Sequence, residues 1–287
     1  MQLDIFEHSR DVMLRNAVIE ALEARDPERI ERAIGALAAE YPGDALLPTV
    51  TILAARLAQK VAAPLERVPG AQILEATERA AEAAKRVFGV GAEAWMASLW
   101  RQLAAALVHL PFDPANEALH AAPLLLRAGD WSAAAEALAG IPSWRRLPSP
   151  LAWKAEAEGR TGSLAAVWPF LAELAWMAPE RASALARHLA LPELRTLLRR
   201  FDAEFEGEVE GGDFAWFPAW ALVAEPHWAD ALRPAQAGAD TAAERGARLV
   251  LNLLLLERQG LQAELVESRR KFRELHDPLF RRYMRSR

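Results

Sequence analysis

Two sets of side chains have a spacing that could bind a metal ion. In the first, Glu117 and His120 form a Glu-x-x-His pattern, which on a helix places a carboxylate and an imidazole on one face, as a di-iron site requires. Such a site also needs a second copy of the pattern, and the sequence contains none. We therefore expect a solvated pair here and no metal ligands.

The second set is an acidic segment, whose carboxylate oxygens are of the type that binds Ca²⁺. It has six acidic residues and no basic residue: Asp202, Glu204, Glu206, Glu208, Glu210 and Asp213. Phe201, Phe205 and Val209 recur every four residues in the same stretch. This spacing favours a helix with an acidic outer face over a loop of metal ligands.

Other common kinds of catalytic site also find little support. The chain has no cysteine, which excludes disulfides, thiolate metal sites and cysteine nucleophiles. The six histidines are scattered, and the sequence has no glycine-rich phosphate loop and no nucleophile motif. We therefore expect no catalytic residue, no cofactor and no metal, and we expect a protein that is not an enzyme.

The same features predict a cytoplasmic protein that does not enter a membrane. The absence of cysteine fits a reducing compartment, and the N-terminus lacks the basic and apolar stretches of a signal peptide. The most apolar stretch, Leu164 to Ala178, is too short to span a bilayer and contains Pro169 and Glu173. Only four of the 34 basic residues are lysine and alanine is abundant, which suggests a GC-rich bacterial genome.

Apolar residues recur with helical spacing along nearly the whole chain, which predicts an all-α protein. Asp26-Pro27 has the form of a helix cap followed by a first-turn proline. Gly129, Gly159 and Gly260 each follow or interrupt an apolar helical run. We therefore expect antiparallel helix pairs that turn near Asp26 and near these three glycines.

Three short stretches mark one helix pair: Asp113-Pro114 before its first helix, Gly129-Asp130-Trp131 at its turn, and Ala134 in its second helix. They resemble the tetratricopeptide repeat pattern, in which a small residue allows close helix contact and an aromatic side chain fills a groove. The match covers about one repeat, and the rest of the array is irregular. The resemblance implies a scaffold that binds peptides or protein surfaces, and it implies no catalysis.

We accordingly expect an irregular, tetratricopeptide-like superhelix with three parts. These are N-terminal helical hairpins over 1–110, tetratricopeptide-like repeats over 111–190, and C-terminal helical pairs with a basic end over 191–287. The three parts are expected to form one continuous solenoid.

The N-terminus carries the most specific functional signal in the sequence: Gln2, Leu3, Asp4, Ile5 and Phe6. These residues resemble the bacterial sliding-clamp-binding peptide, whose preferred form is Gln, Leu, Ser or Asp, Leu, Phe. The one departure from this form is Ile5, which stands where the preferred form has leucine, and the change is conservative. The resemblance implies that Leu3 and the Ile5-Phe6 pair fill two apolar pockets on the clamp while Gln2 makes orienting hydrogen bonds.

The same residues have a purely structural interpretation. Leu3, Ile5 and Phe6 would then pack as a hydrophobic staple against the first helix, with Ser9 or Asp11 as its N-cap. The sequence leaves both interpretations open.

The C-terminus is a basic end on an acidic protein. Against Glu274 and Asp277 it carries eight basic residues: Arg269, Arg270, Lys271, Arg273, Arg281, Arg282, Arg285 and Arg287. Nucleic-acid phosphates are one candidate partner. The alternatives are a solvated face or pairing with the acidic segment inside the chain. Apolar residues between the basic ones, among them Phe272 and Tyr283, predict an amphipathic helical cap.

An aromatic cluster is the last feature that could mark a site. Trp216, Trp220 and Trp228 occur close to Phe214 and Phe217. They would form a binding groove if exposed and core if buried. Taken together, the sequence predicts a non-enzymatic helical adaptor for a protein partner, with the sliding clamp as one candidate. The alternative is a protein that binds nucleic acid through its basic end.

Overall fold

The computed structural model describes residues 4–204, 213–236 and 238–287, with the backbone alone for residues 4–9. All regular elements in these ranges are helices and none is a strand, so the predicted all-α class is confirmed. The chain divides into two compact units, residues 1–137 and 138–287. Each unit has a hydrophobic core of its own.

The first unit is a series of helices in which each packs against the next as far as α6. Its core includes the fully buried side chains of Leu22, Leu37, Leu53, Leu103 and Leu124. Its helices are α1 (Asp4–Ala24), α2 (Pro27–Glu40), α3 (Leu47–Ala58), α4 (Arg67–Phe88), α5 (Ala92–Leu107), α6 (Ala121–Arg127) and α7 (Trp131–Ala139), and α7 ends just beyond the unit.

The second unit is built around one helix that is apolar on every side. Its helices are α8 (Pro148–Thr161), α9 (Leu164–Met177), α10 (Pro179–His188), α11 (Pro192–Glu204), α12 (Phe217–Ala224), α13 (Ala229–Leu232), α14 (Ala242–Gln259), α15 (Gln262–Leu275) and α16 (Asp277–Arg285). Helix α9 contacts α8, α10, α12, α13 and α14, as expected for a helix without a polar face. In the described part of the chain no helix has the length and apolarity to cross a membrane.

Several helix ends lie where the sequence predicts them. Asp26 caps α2, because its Oδ1 accepts hydrogen bonds from the N–H groups of Glu28 and Arg29, both at 3.1 Å. Gly129 follows α6 with φ +77°, and Gly260 follows α14 with φ +72°. Glycine reaches this left-handed region without steric cost, which explains why both helices end there.

The turn predicted near Gly159 lies about three residues further along the chain. Gly159 lies inside α8, which continues to Thr161, and the chain turns at Gly162 and Ser163. A Cβ on Gly159 would lie 2.7 Å from Cδ2 of Leu189. The glycine therefore allows a close contact and does not end the helix.

Two further boundaries differ from the helical pattern of the sequence. Helix α4 begins at Arg67, ahead of the apolar run that starts at Ile73. Pro69 does not prevent this early start, because it falls in the first turn of the helix, where proline costs no hydrogen bond. Helix α10 is short and follows α9 after a single residue, Ala178, so it does not stand out in the sequence pattern.

Three residues of the aromatic cluster belong to the core, and the other two, Trp216 and Trp228, are partly buried and pack against it. Phe217 and Trp220 are fully buried, and Phe214 is nearly so. The Phe214 and Phe217 rings stack at 4.8 Å, and Phe201 meets both Phe217 and Trp220 edge to face. These residues therefore hold α11 against α12 and do not line an exposed groove.

We predict that Gly246→Ala destabilises the protein, although alanine is the better helix former. Gly246 lies in α14, where an added Cβ would be 2.5 Å from Cζ3 of the Trp216 ring. A rigid ring cannot move aside as a flexible side chain does, so we expect a loss of about 1–3 kcal/mol in chemical denaturation.

Gly35→Ala is the matched control. Gly35 lies in α2, and nothing is within 4 Å of the position of its added Cβ. This change should stabilise the protein by about 0.5–1 kcal/mol, because alanine lowers the entropy cost of forming the helix. Equal effects of the two substitutions would contradict the close contact at Trp216.

Candidate functional site

The N-terminal peptide leads directly into α1. Gln2 and Leu3 lie outside the described residues, whereas Asp4, Ile5 and Phe6 are the first residues of α1, with the backbone alone described. The helix begins before Ser9 and Asp11, so neither residue is its N-cap. The N-cap predicted by the staple interpretation is therefore misplaced.

Ion pairs fix α1 to the following helices from residue 10 onward. Arg10 makes a bidentate pair with Glu40, with N···O distances of 3.0 and 2.6 Å. Arg15 pairs with Asp44 at 2.8 Å, and the carboxylate of Asp44 is buried. Burial raises the pKa of Asp44, but the Leu46 N–H and the Arg15 guanidinium outweigh this effect, so the pKa lies below its ordinary value.

The outer face of α1 exposes two large apolar side chains. Val12 is 47% exposed and Met13 is 61% exposed. The helical spacing of the sequence predicts that Val12 shares a buried stripe with Val18 and Leu22, but only the latter two are in the core. An apolar surface thus lies within about two turns of the N-terminal peptide on the same helix.

The basic end forms α15 and α16, and most of its cations pair locally. Arg270 lies 2.8 Å from Glu267 and 3.2 Å from Glu274. Arg273 and Arg281 share Asp277, at 3.4 and 2.5 Å. These pairs span three or four residues, within one helix or, for Arg273, from α15 to the start of α16, and their arginines are well exposed, so each contributes little to stability. Lys271 pairs with Glu267 in the same way, and Arg285 is exposed.

Three other basic residues hold the C-terminal helices in place, and two of them meet at one carboxylate. Arg269 and Arg287 both pair with Glu257 of α14, at 3.4 and 2.9 Å. Glu257 also accepts a hydrogen bond from the hydroxyl of Tyr283. Burial, helped by Glu257, raises the pKa of this tyrosine. These arginines therefore link α15 and the residues after α16 to α14.

The third of these basic residues is Arg282. Among the described residues, it forms the one ion pair between the basic end and the acidic segment. Its guanidinium pairs with Glu204 and lies over the Trp220 ring, 5.1 Å from the centroid. Asp202 pairs instead with Arg187 at 2.7 Å, and Asp213 accepts a hydrogen bond from the N–H of Ala215. Phe205, Glu206, Glu208, Val209 and Glu210 lie outside the described residues.

Two buried carboxylates, which sequence reasoning did not single out, bind the connection between α13 and α14. Glu173 in α9 is 5% exposed and receives Arg145 at 2.7 and 2.5 Å and the N–H of Gln236 at 2.7 Å. Glu244 accepts the N–H groups of three successive residues before α14: Gly238, Ala239 and Asp240.

Glu244 could have been found from its position three residues after Thr241. Thr241-x-x-Glu is the capping-box spacing, and the Thr241 side chain does accept the N–H of Glu244. Burial raises the pKa of Glu244, but hydrogen bonds from Arg248 and the backbone outweigh burial and hold this pKa below its ordinary value. Glu173 carries no such local signal, because its partners are distant in sequence.

A buried cation in the first unit has no charged partner among the described residues. Arg56 is 2% exposed, and its Nε donates to Oγ1 of Thr77 at 2.7 Å. Its Nη1 and Nη2 make no hydrogen bond within the described structure. Burial lowers the pKa of this guanidinium, because the charged form is poorly solvated there.

The Glu-x-x-His pair does not have the predicted solvated form. His120 is half-buried and caps α6, since its Nδ1 accepts the N–H of Ala122 at 3.2 Å. His276 caps α16 in the same way, accepting the N–H of Leu279 at 3.1 Å. Among the residues that the structure describes, no group of acidic or histidine side chains has the arrangement of a metal site.

Comparison with known proteins adds no family to these observations. No protein-family model, no curated protein and no solved structure matches the chain. The described side chains must therefore carry any functional argument.

We predict that acid destabilises both histidine-capped helices. An imidazole accepts a hydrogen bond only when it is neutral, and burial lowers the pKa of both His120 and His276 below the ordinary 6.5. The unfolded chain therefore binds a proton more readily, so the stabilisation is complete above about pH 6.5 and decreases as the pH falls toward the folded-state pKa.

Melting temperatures between about pH 7.5 and 5.5 test this prediction. The double variant His120→Asn, His276→Asn keeps a capping side chain that does not titrate, so its melting temperature should fall less than that of the parent. His109→Asn, at an exposed histidine, is the control and should behave like the parent. An unchanged pH dependence in the double variant would refute the capping role.

Proposed function

We propose that this chain is a non-enzymatic helical adaptor that binds a protein partner, with the bacterial sliding clamp as the candidate partner of its N-terminal peptide. The observation that carries the proposal is the exposed apolar surface of α1, formed by Val12 and Met13. Val12 and Met13 lie on the helix that begins at Asp4, within about two turns of Phe6 in the chain. Solvent-exposed apolar surface of this kind is typical of protein contacts when it is contiguous.

The packing of α1 supports this proposal in a second way. Val18, Ala21 and Leu22 of α1 are buried in the core of the first unit, so the described part of the helix has core contacts of its own with the following helices. We therefore expect Leu3, Ile5 and Phe6 to be available to a partner. A short peptide of this kind binds through a few apolar anchors.

The double change Leu3→Ala, Phe6→Ala should abolish binding to a purified bacterial sliding clamp. Each side chain would fill an apolar pocket, and truncation of such an anchor costs about 2 kcal/mol or more. Isothermal titration calorimetry measures the loss, and we expect the melting temperature to stay within about 2 °C of the parent, as for a substitution outside the core.

A matched control is Ile52→Ala, Val68→Ala, which truncates two exposed apolar side chains of the same unit outside α1. It should leave clamp binding unchanged. If the parent does not bind the clamp and the double variant of Leu3 and Phe6 melts at a much lower temperature, the staple interpretation is correct and the clamp is not a partner.

Nucleic acid is the second candidate partner, and one feature of the basic end favours it. Arg270, Arg273 and Arg281 are 61%, 69% and 73% exposed, and the last two share a single carboxylate. Together with Lys271, which shares Glu267 with Arg270, they are four cations paired with three carboxylates, so one positive charge remains that phosphates could neutralise. Binding of this type releases counterions and depends steeply on salt.

The triple change Arg270→Gln, Arg273→Gln, Arg281→Gln should weaken binding to a fluorescent DNA duplex. It should also reduce the slope of log K against log salt by about 0.9 for each phosphate that the protein no longer neutralises. Arg29→Gln, Arg32→Gln, Arg86→Gln, at exposed positions of the first unit, is the control and should not alter the slope. If the parent shifts neither DNA nor RNA at low salt, this candidate is excluded.

A further inference from the structure

A concave surface between α13 and α14 has the chemistry of a docking site. Its volume is about 290 Å³, and apart from Asn252 its uncharged lining is apolar: Ala229, Leu251, Leu254 and Leu255. Leu255 is 39% exposed, which is high for a large apolar side chain inside a helix pair. Arg233 and Arg258 stand at the rim. We call this surface the α13–α14 groove.

The rim has more positive than negative charge. Asp230 Oδ1 lies 3.1 Å from Arg233 Nη2 and 3.8 Å from Arg258 Nη1. The second distance is too long for a hydrogen bond, so Arg258 interacts with this carboxylate through charge alone. One carboxylate thus serves two guanidinium groups. Guanidinium can bind a carboxylate through two parallel hydrogen bonds, so this rim can accept a second carboxylate.

The existing ion pairs would not prevent such binding. The side chains of Arg233, Arg258 and Asp230 are 57%, 53% and 66% exposed. Pairs this exposed contribute about 0–1 kcal/mol, so they can rearrange at little cost when another carboxylate arrives. The groove is therefore complementary to a group that is apolar where it meets the leucines and acidic where it meets the rim.

We propose that the α13–α14 groove binds an acidic, amphipathic segment of a protein partner. An apolar side chain of the segment contacts Leu251 and Leu255, and a carboxylate one helical turn away binds Arg233 and Arg258. A protein segment fits better than a small molecule, because the rim is open and a helical segment presents side chains three or four residues apart on one face. The proposal rests on the proposed adaptor function and names the chemistry of its partner.

Peptide display tests the proposal without knowledge of the partner. A phage library of random 16-residue peptides is selected on the full chain and, in parallel, on the variant Arg233→Glu, Arg258→Glu. We expect peptides enriched on the parent to carry Leu, Ile or Phe three or four residues from Asp or Glu. Their affinity, measured by fluorescence anisotropy, should fall about tenfold or more on the variant.

The matched control is Arg270→Glu, Arg273→Glu, which makes the same charge change at exposed positions of the same unit. The selected peptides should bind this control as they bind the parent. A second variant, Leu255→Ser, keeps the rim and removes part of the apolar lining, and it should weaken binding as well. Circular dichroism melts confirm that each variant is folded.

The remaining outcomes overturn the proposal in distinguishable ways. If peptides are enriched but bind the groove variants as well as they bind the parent, the α13–α14 groove is not the site, although the adaptor function stands. Enrichment of basic peptides would refute the charge argument. If no peptide is enriched and the sliding clamp does not bind, both this proposal and the proposed function fail.

Discussion

The backbone N–H groups at helix N-termini are a constraint that recurs along this structure. A chain built from many short helices has many N-termini, and each leaves backbone N–H groups without an intrahelical partner. Four helices meet this need with side-chain acceptors: Asp26 before α2, His120 before α6, Thr241 before α14 and His276 before α16. Two of these four side chains are histidines, which accept a hydrogen bond only when they are neutral. The stability of the N-termini of α6 and α16 therefore depends on pH.

The same constraint explains why charged groups occur inside the second unit. Helix α9 is enclosed on all sides, yet it carries Glu173, which is tolerated because Arg145 and the Gln236 N–H satisfy its oxygens. Through this pair the core helix also binds the irregular connection before α14. Arg56 in the first unit is the contrasting case, because Thr77 is its only hydrogen-bond partner among the described residues. An ionised group in that situation opposes folding.

The sequence predicted features with local causes and missed those with distant causes. The cap at Asp26 and the left-handed turns at Gly129 and Gly260 follow from a few adjacent residues, and all three were correct. Gly159 has the same local pattern, but a contact with Leu189, far along the chain, gives it a different role. The candidate sites show the same difference between features with local causes and features with distant causes. The peptide and the basic residues could be named from sequence, whereas the pairing of Arg269 and Arg287 with Glu257 depends on how α14 and α16 pack.

The basic end shows why a count of charges does not by itself define a binding surface. Arg269, Arg282 and Arg287 are partly buried against Tyr283 and Trp220, where they satisfy Glu257 and Glu204. Arg270, Arg273 and Arg281 are well exposed, and each pairs with a carboxylate three or four residues away. The first set contributes to the fold and the second is available to a partner. Because the two sets consist of different residues, point substitutions can separate a binding role from a structural one, whereas deletion of the whole segment would remove both together.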